Sequence, residues 1–198
     1  MRHKKQKNPS AMGQIRIISG RHRGRKLAVI DSSGLRPTTD RTKETLFNWL
    51  QGHIVDAVCL DAFAGSGSLT FEAASRGARQ VIACELNRQA CRQLQQNISI
   101  LGLAETVSVY ESDAFKIKAE NLALTRPFDI VFVDPPFNQG LLVSFLQHLF
   151  EQGLINVHTL VYCEHEPDLI GDWAELNLSA VKLAQTSGFI YGLYQLNS

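Results

Sequence analysis

From residue 54 onward, short apolar runs alternate with segments of helical periodicity, and this alternation constrains the fold more than any other feature of the chain. A continuous apolar run indicates a buried strand, whereas apolar residues three or four apart indicate a helix. Strands that alternate with helices form a parallel sheet whose two faces are both covered. The predicted strands cover residues 55–63, 80–85, 106–111, 129–133 and 159–164, and the predicted helices cover about residues 67–76, 87–101, 114–124 and 140–152.

Two hairpins flank this alternating region. Near the end of the chain, residues 178–184 and 189–196 are β-type runs joined by a turn that leaves no room for a helix, so they predict an antiparallel pair. Near the start, two β-type runs around a glycine-containing turn predict another hairpin, and a helix follows over residues 39–51. We therefore predict an α/β, Rossmann-like sheet of seven strands with the last strand antiparallel, extended by an N-terminal β-hairpin.

The net charge of +1 hides an uneven distribution along the chain. Residues 1–50 hold 12 lysines and arginines against 3 acids, a balance of +9, and residues 51–198 hold 8 against 16, a balance of −8. A basic arm on an acidic body indicates an anionic polymer as partner, with a solvated arm that binds nothing as the alternative. The candidate nucleic-acid contacts are Arg16, Arg21, Arg23, Arg25 and Lys26 of the hairpin and Arg41 of the helix that follows it.

These observations divide the chain into a disordered basic tail (1–12), a basic hairpin with a helix (13–52) and a main domain (53–198). No apolar stretch is long enough to span a membrane or to form a signal peptide, so we expect a cytoplasmic protein, and we expect a monomer. Neither the cysteines nor the histidines show metal-ligand spacing, so we expect no metal site. Buried free thiols are predicted at Cys59, Cys84, Cys91 and Cys163.

A glycine-rich turn follows the first strand of the main domain and leads into a helix. Small residues let the backbone approach a ligand closely, and the start of a helix offers free N–H groups. Thr70 follows Gly65 and Gly67 where a dinucleotide-binding fingerprint has its third glycine, and no phosphate-loop lysine follows. Asp61 lies four residues before Gly65, which suits a ligand with an ammonium group better than a pyrophosphate.

Two further acids follow the next two predicted strands. Glu85 lies 18 residues after Gly67, where a carboxylate can accept both hydroxyls of a ribose. Asp113 follows the third strand, where a carboxylate can accept the amino group of an adenine. Taken singly, Asp61 or Asp113 is also explained as a cap or turn residue. Together the three acids lie at strand ends, which is where ligands bind in open α/β sheets.

The tetrad Asp134-Pro135-Pro136-Phe137 follows the predicted strand over residues 129–133. The Asp134 carboxylate and the Pro135 carbonyl can both accept hydrogen bonds from one amino group, and Phe137 can stack on a flat ring. This arrangement predicts a site that holds the exocyclic amine of a planar group in front of an electrophile. A rigid turn without a chemical role is the alternative.

In this order, the motifs resemble those of the class I S-adenosylmethionine-dependent methyltransferases. Segments 15–20, 23–27 and 35–50 narrow the resemblance to the bacterial 16S rRNA guanine-N2 methyltransferase D family. The resemblance implies S-adenosylmethionine as the cofactor and, as the reaction, methylation of one guanine of 16S rRNA within the 30S ribosomal subunit. It also implies that residues 53–198 form the catalytic methyltransferase domain.

The resemblance further implies roles for individual residues. Asp134, Pro135 and Phe137 would contact the target base. Many relatives in this superfamily have a glycine at the position of Phe63, so the backbone contacts of the cofactor at that point stay open. The residues implied to surround the cofactor are Thr38, Asp61, Phe63, Gly65, Ser66 and Gly67 around its methionine part, Glu85 at its ribose, and Asp113 with Ala114 at its adenine.

Two alternatives stay open at this point. The first is another amine methyltransferase, acting on adenine N6 in DNA or on a protein glutamine. Glutamine enzymes typically have an asparagine at the position of Asp134, and DNA enzymes usually carry a target-recognition insert for which this chain has little room. The second is a non-catalytic RNA-binding assembly factor that uses the fold as a scaffold, and cofactor binding distinguishes it from an enzyme.

Overall fold

The computed structural model describes residues 13–30, 39–122, 124–136, 140–165, 177–186 and 188–197. Two short strands, β1 (Gly13–Arg16) and β2 (Lys26–Val29), pair antiparallel as the predicted N-terminal hairpin. Within the described ranges, the main sheet consists of β3 (Val58–Asp61), β4 (Gln80–Glu85), β5 (Val107–Glu111), β6 (Ile130–Val133), β7 (Leu160–His165), β8 (Leu178–Gln185) and β9 (Ile190–Leu196).

The strands of the main sheet lie in the order β5-β4-β3-β6-β7-β9-β8. Each pairing from β5 to β7 is parallel, and β9 is antiparallel to both of its neighbours. The predicted Rossmann-like α/β sheet with a reversed last strand is therefore confirmed. Every residue of β3, β6 and β7 is buried, which explains why these strands are mostly apolar without a polar alternation.

The helices of the described residues pack on both faces of this sheet. The predicted caps of the third helix are confirmed, because the Asn87 side chain accepts hydrogen bonds from the first-turn amides of Gln89 and Ala90. Gly102 ends the same helix with a φ of 64°, a left-handed conformation that favours glycine. The helices are α1 (Asp40–Trp49), α2 (Ser68–Ser75), α3 (Arg88–Leu101) and α4 (Leu141–Glu151).

The prediction of a helix over residues 114–124 is wrong. The structure has two short 3₁₀ turns there, Ala114–Lys116 and Ala119–Leu122, separated by extended backbone at Ile117. The Ile117 side chain is buried, and its carbonyl accepts a hydrogen bond from His148 Nε2 of α4 at 3.2 Å. Packing against α4 therefore overrides a local preference for helix in this segment.

The apolar core consists of two layers, one on each face of the main sheet. The first layer joins the N-terminal hairpin, α1, α2 and α3 to the sheet. The second layer joins α4 and the 3₁₀ turns to the opposite face. Because Ile15, Ile17 and Leu27 of the hairpin are buried in the first layer, the hairpin packs as part of the core.

The cysteines predicted to be buried free thiols are confirmed as such. Among the described residues, none of the helices has the length and apolar character needed to cross a lipid bilayer.

Candidate active site and nucleic-acid interface

Four carboxylates lie side by side at one edge of the main sheet. Asp61 ends β3, Glu85 ends β4, Asp113 follows β5, and Asp134 follows β6. Because these four strands are parallel neighbours in the order β5-β4-β3-β6, their carboxyl ends meet at a single edge. The strand order reverses between β3 and β6, and ligands bind at such a point in open α/β sheets.

The glycine-rich loop runs along this edge from β3 to α2. Backbone hydrogen bonds hold its first part, from Ala64 N to the Cys84 carbonyl at 2.9 Å and from Gly67 N to the Ala64 carbonyl at 2.7 Å. Gly67 has a φ of +76°, and a Cβ there would lie 2.4 Å from Leu94 Cδ2. The loop therefore requires glycine at position 67 both for its backbone conformation and for its close packing.

Glu85 connects the glycine loop to the start of α3. Its Oε2 accepts a hydrogen bond from Gly65 N at 2.8 Å, and its Oε1 accepts one from Asn87 N at 2.7 Å. The side chain is half-buried, and each carboxylate oxygen has a second lone pair. Glu85 is therefore oriented by the protein and retains the capacity to accept the two hydroxyls of a ribose.

Asp61 lies beneath the loop and is 3% exposed. Its Oδ2 accepts hydrogen bonds from Thr70 N at 3.1 Å and from Thr70 Oγ1 at 2.5 Å. Burial raises the pKa of Asp61 to about 6, and the Thr70 hydrogen bonds oppose this rise while the charge of Glu85 adds to it. Asp61 thus stabilises the first turn of α2, the capping role that the sequence left open, and its contact with a cofactor stays a prediction.

The predicted adenine side of the site is lined by aromatic rings. The Asp113 carboxylate caps a 3₁₀ turn by accepting a hydrogen bond from Phe115 N at 3.0 Å, and Ala114 is buried beside it. The rings of Phe63 and Phe115 each lie 5.2 Å from Phe145 of α4 in edge-to-face contact. The side chain at position 63, where many relatives have glycine, therefore packs against α4.

The base-holding tetrad is described in part. Asp134 is half-buried, Pro135 is buried, and Pro136 is exposed, directly after the fully buried β6. The negative charge of Asp134 reaches β7, where it adds to burial in raising the pKa of the Cys163 thiol. The predicted site residues Thr38 and Phe137 lie outside the described residues.

The predicted nucleic-acid contacts lie on the hairpin and on α1, and all six cations are exposed. Arg16 NH2 is 3.1 Å from an Asp40 carboxylate oxygen, so one of the six has an acidic partner in α1. The main-chain carbonyl of Arg16 accepts a hydrogen bond from the buried Lys43 at 2.7 Å. Burial lowers the pKa of Lys43, while the charges of Asp40 and Glu72 oppose this change.

Helix α2 holds the turn of this hairpin through two side chains that the sequence did not single out. Glu72 is fully buried, and its carboxylate accepts hydrogen bonds from Ile18 N at 2.7 Å and from Ser19 N at 3.1 Å. Ser75 Oγ donates to the Ser19 carbonyl at 2.6 Å and accepts from His22 N at 2.9 Å. Since α2 begins at the glycine loop, one rigid helix connects the candidate cofactor site to the basic hairpin.

Ser68, at the first position of α2, is a further candidate that the sequence analysis missed. Its hydroxyl is buried and has no hydrogen-bond partner among the described residues. A buried hydroxyl without a partner costs free energy, so a ligand that supplies one would bind favourably there. The Gly-Ser-Gly-Ser spacing of the loop could have indicated this residue.

A spacious cavity lies at the opposite edge of the sheet. It measures about 450 Å³ and is mainly apolar, between the end of α4 and the amino ends of β7 and β8. The acids of the candidate site are at the carboxyl ends of the strands, so this cavity is separate from the predicted chemistry.

Comparison with known proteins gives the same result as the geometry. A family profile described as "Conserved hypothetical protein 95" matches residues 15–192. Ribosomal RNA small subunit methyltransferase D from Escherichia coli K12 is 47% identical over 175 residues, which cover 86% of each chain. The protein of the same name from Haemophilus influenzae is 43% identical over 197 residues, covering 97% of this chain and 99% of that protein.

The chain belongs to this methyltransferase family. The solved structure of an Escherichia coli protein described as a methyltransferase superposes on it with a TM-score of 0.78. That structure is 43% identical in sequence, and the match covers 94% of this chain and 99% of the other. The ribosomal RNA small subunit methyltransferase D family is thus the one that the sequence motifs predicted, and membership covers both the hairpin and the main sheet.

Proposed function

We propose that this chain transfers a methyl group from S-adenosylmethionine to the exocyclic N2 of one guanine in small-subunit ribosomal RNA. The observation that carries the proposal is the place of Asp134 and Pro135. They follow a buried strand at the point where the strand order reverses, next to the glycine loop, in a member of a family whose relatives are named as small-subunit rRNA methyltransferases.

The donor set of the site fits this cofactor. S-adenosylmethionine supplies an electrophilic methyl group on a positively charged sulfonium, and it also has an ammonium group and two ribose hydroxyls. Glu85 would accept the ribose hydroxyls, Asp113 would accept the adenine amino group, and Asp61 would face the methionine ammonium. The buried Ser68 hydroxyl is a further polar group at the loop that needs a partner.

The exocyclic nitrogen of guanine is a poor nucleophile, because its lone pair is delocalised into the ring. Asp134 and the Pro135 carbonyl would each accept one of its hydrogens, which directs the lone pair towards the methyl donor. The Asp134 carboxylate would also stabilise the positive charge that develops on the nitrogen. Holding the nitrogen in a near-attack position contributes further, by as much as about 7–11 kcal/mol in favourable cases.

The basic hairpin would bind the rRNA backbone, since phosphate contacts from lysine and arginine supply most of the affinity that does not depend on sequence. We propose the assembled small subunit as the substrate, a monomer as the active form and the cytoplasm as its location. Because Glu72 and Ser75 fix the hairpin to α2, a bound RNA would be held in a set orientation to the glycine loop.

The test replaces Asp134 by asparagine, which keeps the size of the side chain and removes its charge. Unmethylated small-subunit particles, free 16S rRNA and duplex DNA are offered with labelled S-adenosylmethionine, and the modified nucleotide is mapped. We expect the wild type to label one guanine of the particle. We expect Asp134→Asn to lower kcat by about 10²- to 10³-fold with cofactor affinity unchanged.

The matched control is Glu111→Gln, which removes an exposed acid at the same edge of the sheet, paired with Arg88 at 3.9 Å. This variant should retain wild-type activity. Labelling of DNA alone, or a fully active and folded Asp134→Asn, would contradict the proposed function. Failure of the wild type to bind the cofactor in calorimetry would favour the non-catalytic assembly factor.

A further inference from the structure

A second carboxylate, Glu164, lies near the end of β7, the strand next to the one that Asp134 follows. In the parallel pair of β6 and β7, Phe132 lies opposite Tyr162 and Val133 lies opposite Cys163. The next residue after Val133 is Asp134, directly past the end of β6, and the next residue after Cys163 is Glu164, within β7. Because side chains alternate between the two faces of a sheet, both carboxylates lie on the face of Phe132 and Tyr162, on strands about 4.8 Å apart.

Glu164 is held in place by a buried phenol. It is 5% exposed, and its Oε1 accepts a hydrogen bond from Tyr162 Oη at 2.8 Å. Burial, followed by the charge of Glu164 and the hydrogen bond to it, raises the pKa of Tyr162 well above its usual value, and the charge of Asp134 adds to this. The phenol therefore stays protonated and donates to a carboxylate that has Asp134 as a near neighbour.

A carboxylate has about four lone-pair positions, so one that accepts from a phenol can accept from a ligand as well. The proposed methyl transfer requires acceptors for the two N2 hydrogens of guanine, which are Asp134 and the Pro135 carbonyl. Guanine has one more donor on the same edge, N1–H, directly beside the amino group. Adenine and cytosine instead present a ring-nitrogen lone pair beside their amino groups.

We propose that Glu164 accepts the N1–H of the target guanine and thereby selects guanine over bases that present a lone pair at this position. A buried carboxylate facing a ring lone pair leaves two acceptors without a hydrogen between them, and such unpaired polar groups are the basis of strong discrimination. This inference rests on the proposed function, because it names the residue that recognises the base that Asp134 would hold.

The experiment compares target bases that differ at N1. Small-subunit particles are reconstituted with rRNA carrying guanine or 2,6-diaminopurine at the mapped nucleotide, since both have an amine at C2 and only guanine has N1–H. Under single-turnover conditions, we expect wild-type enzyme to methylate guanine on the order of 10²-fold faster. In Glu164→Gln the amide can donate to the N1 lone pair, so this ratio should fall by about tenfold or more.

The matched control is Glu111→Gln, which makes the same chemical change at an exposed acid of β5 and keeps the Glu164 carboxylate with its phenol partner. Its guanine preference should stay within about threefold of wild type, since the N1 contact persists. If Glu164→Gln lowers the methylation rates of guanine and 2,6-diaminopurine equally, the ratio of the two rates is unchanged and the inference is overturned. Asp134 would then be the carboxylate that accepts from both N1–H and N2. If wild type labels no guanine in the particle, the proposed function fails together with the inference.

A second measurement uses wild-type enzyme only, so it does not depend on the folding of a variant. Particles carrying hypoxanthine at the target keep N1–H and lack the amine, so they cannot be methylated there. We expect them to compete with unmodified particles about tenfold more strongly than particles carrying adenine, which also lack the C2 amine but present a lone pair at N1. Equal competition by the two would overturn the role of Glu164.

Discussion

Asp61 is buried, and burial destabilises its charged form. Its pKa of about 6 lies above the ordinary value of 3.8, since burial outweighs the two hydrogen bonds from Thr70. Between these two pH values, the folded protein binds more protons than the unfolded chain does. The contribution of Asp61 to stability is therefore most favourable below pH 4 and is lost as the pH rises through 6.

The first prediction concerns stability. A pKa that moves from 3.8 to about 6 corresponds to about 3 kcal/mol. Asp61→Asn has no charge to bury, and its carbonyl still accepts from Thr70, so we expect its unfolding free energy relative to wild type to increase by about that amount from pH 4 to pH 7. Denaturant unfolding of both proteins across this range measures the difference. A difference that does not change with pH would show that Asp61 does not titrate as described.

The second prediction concerns the cofactor. If Asp61 pairs with the methionine ammonium, protonation of Asp61 removes that pair. Wild-type affinity for S-adenosylmethionine should then fall by about tenfold between pH 7 and pH 5, while Asp61→Asn binds more weakly and with little pH dependence. Calorimetry at several pH values measures both. Parallel pH profiles for the two proteins would restrict Asp61 to its structural role in α2.

For single residues, a role that depends on neighbours in the sequence could be predicted, whereas a role that depends on distant partners could not. Asn87 and Gly102 act on the helix beside them, so their cap roles are readable from the sequence. Glu72 meets its partners more than 50 residues away, at Ile18 and Ser19, and nothing near it in the chain indicates them. The helical pattern around Glu72 does not indicate that its carboxylate accepts hydrogen bonds from distant backbone amides.

Among the elements, the N-terminal hairpin is attached to α2 by a close backbone contact. Gly20, in its turn, has a φ of +79°, and a Cβ there would lie 1.9 Å from the Ser75 carbonyl oxygen. The next residue, Arg21, donates its N–H to the same carbonyl at 2.7 Å. The hairpin therefore lies so close to the end of α2 that no side chain fits at position 20.

The third prediction uses two glycines of this turn as a matched pair. Gly20 and Gly24 have similar positive φ angles, +79° and +83°, but a Cβ at Gly24 would meet nothing within 4 Å. Gly24→Ala should cost about 1–2 kcal/mol for the backbone conformation alone. Gly20→Ala should cost about 1–3 kcal/mol more, because the hairpin must move away from Ser75.

Denaturant unfolding of the two alanine variants measures this difference. The Gly20 variant should also bind rRNA more weakly than the Gly24 variant, since its hairpin is displaced from α2. Equal stability of the two variants would mean that the turn is not held against the helix.

The segment over residues 114–124 shows where prediction of elements fails. Its residues are compatible with a helix, and the pattern predicted one. In the structure, Ile117 is extended and buried while the neighbouring turns stay short, because the segment packs along α4. Strands β3, β6 and β7 were predictable because their complete burial leaves a nearly continuous apolar run, which is visible without knowledge of the neighbouring elements.

For the whole molecule, the important quantity is the separation of charge between the hairpin region and the main domain. The first 50 residues have a balance of +9 and the rest a balance of −8. All six predicted RNA contacts are exposed, and Arg16 is ion-paired with Asp40. Binding to rRNA should therefore depend on the exposed cations of the hairpin turn and decrease as salt increases.

The fourth prediction tests this dependence. Replacing Arg21, Arg23 and Arg25 by glutamine removes three phosphate contacts, so the slope of log affinity against log salt should decrease by about 2–3. The control replaces Arg92, Lys118 and Lys182, three exposed cations of the main domain, and makes the same change in net charge. Filter binding of rRNA at several salt concentrations measures the slopes. Equal slopes for the two triple variants would assign binding to total charge instead of to the hairpin.

At this scale, the sequence predicted the fold class and the site at one edge of the sheet, because both follow from the order of the elements. It did not predict how the hairpin attaches to the main domain. That attachment depends on Asn97 of α3, which donates to the Ala28 carbonyl at 3.0 Å, as well as on Glu72 and Ser75 of α2. Each of these contacts joins residues more than 50 positions apart, beyond the reach of any periodicity.

The long separation between the hairpin and its supports has a consequence for synthesis on the ribosome. Residues 13–30 leave the exit tunnel before the residues that hold them, because Glu72, Ser75 and Asn97 do not emerge until several dozen more amino acids have been added. Until then, Ile15, Ile17 and Leu27 have no core to enter. The basic segment must therefore stay soluble as a nascent chain, and its high density of positive charge helps to keep it so while the rest of the polypeptide is translated.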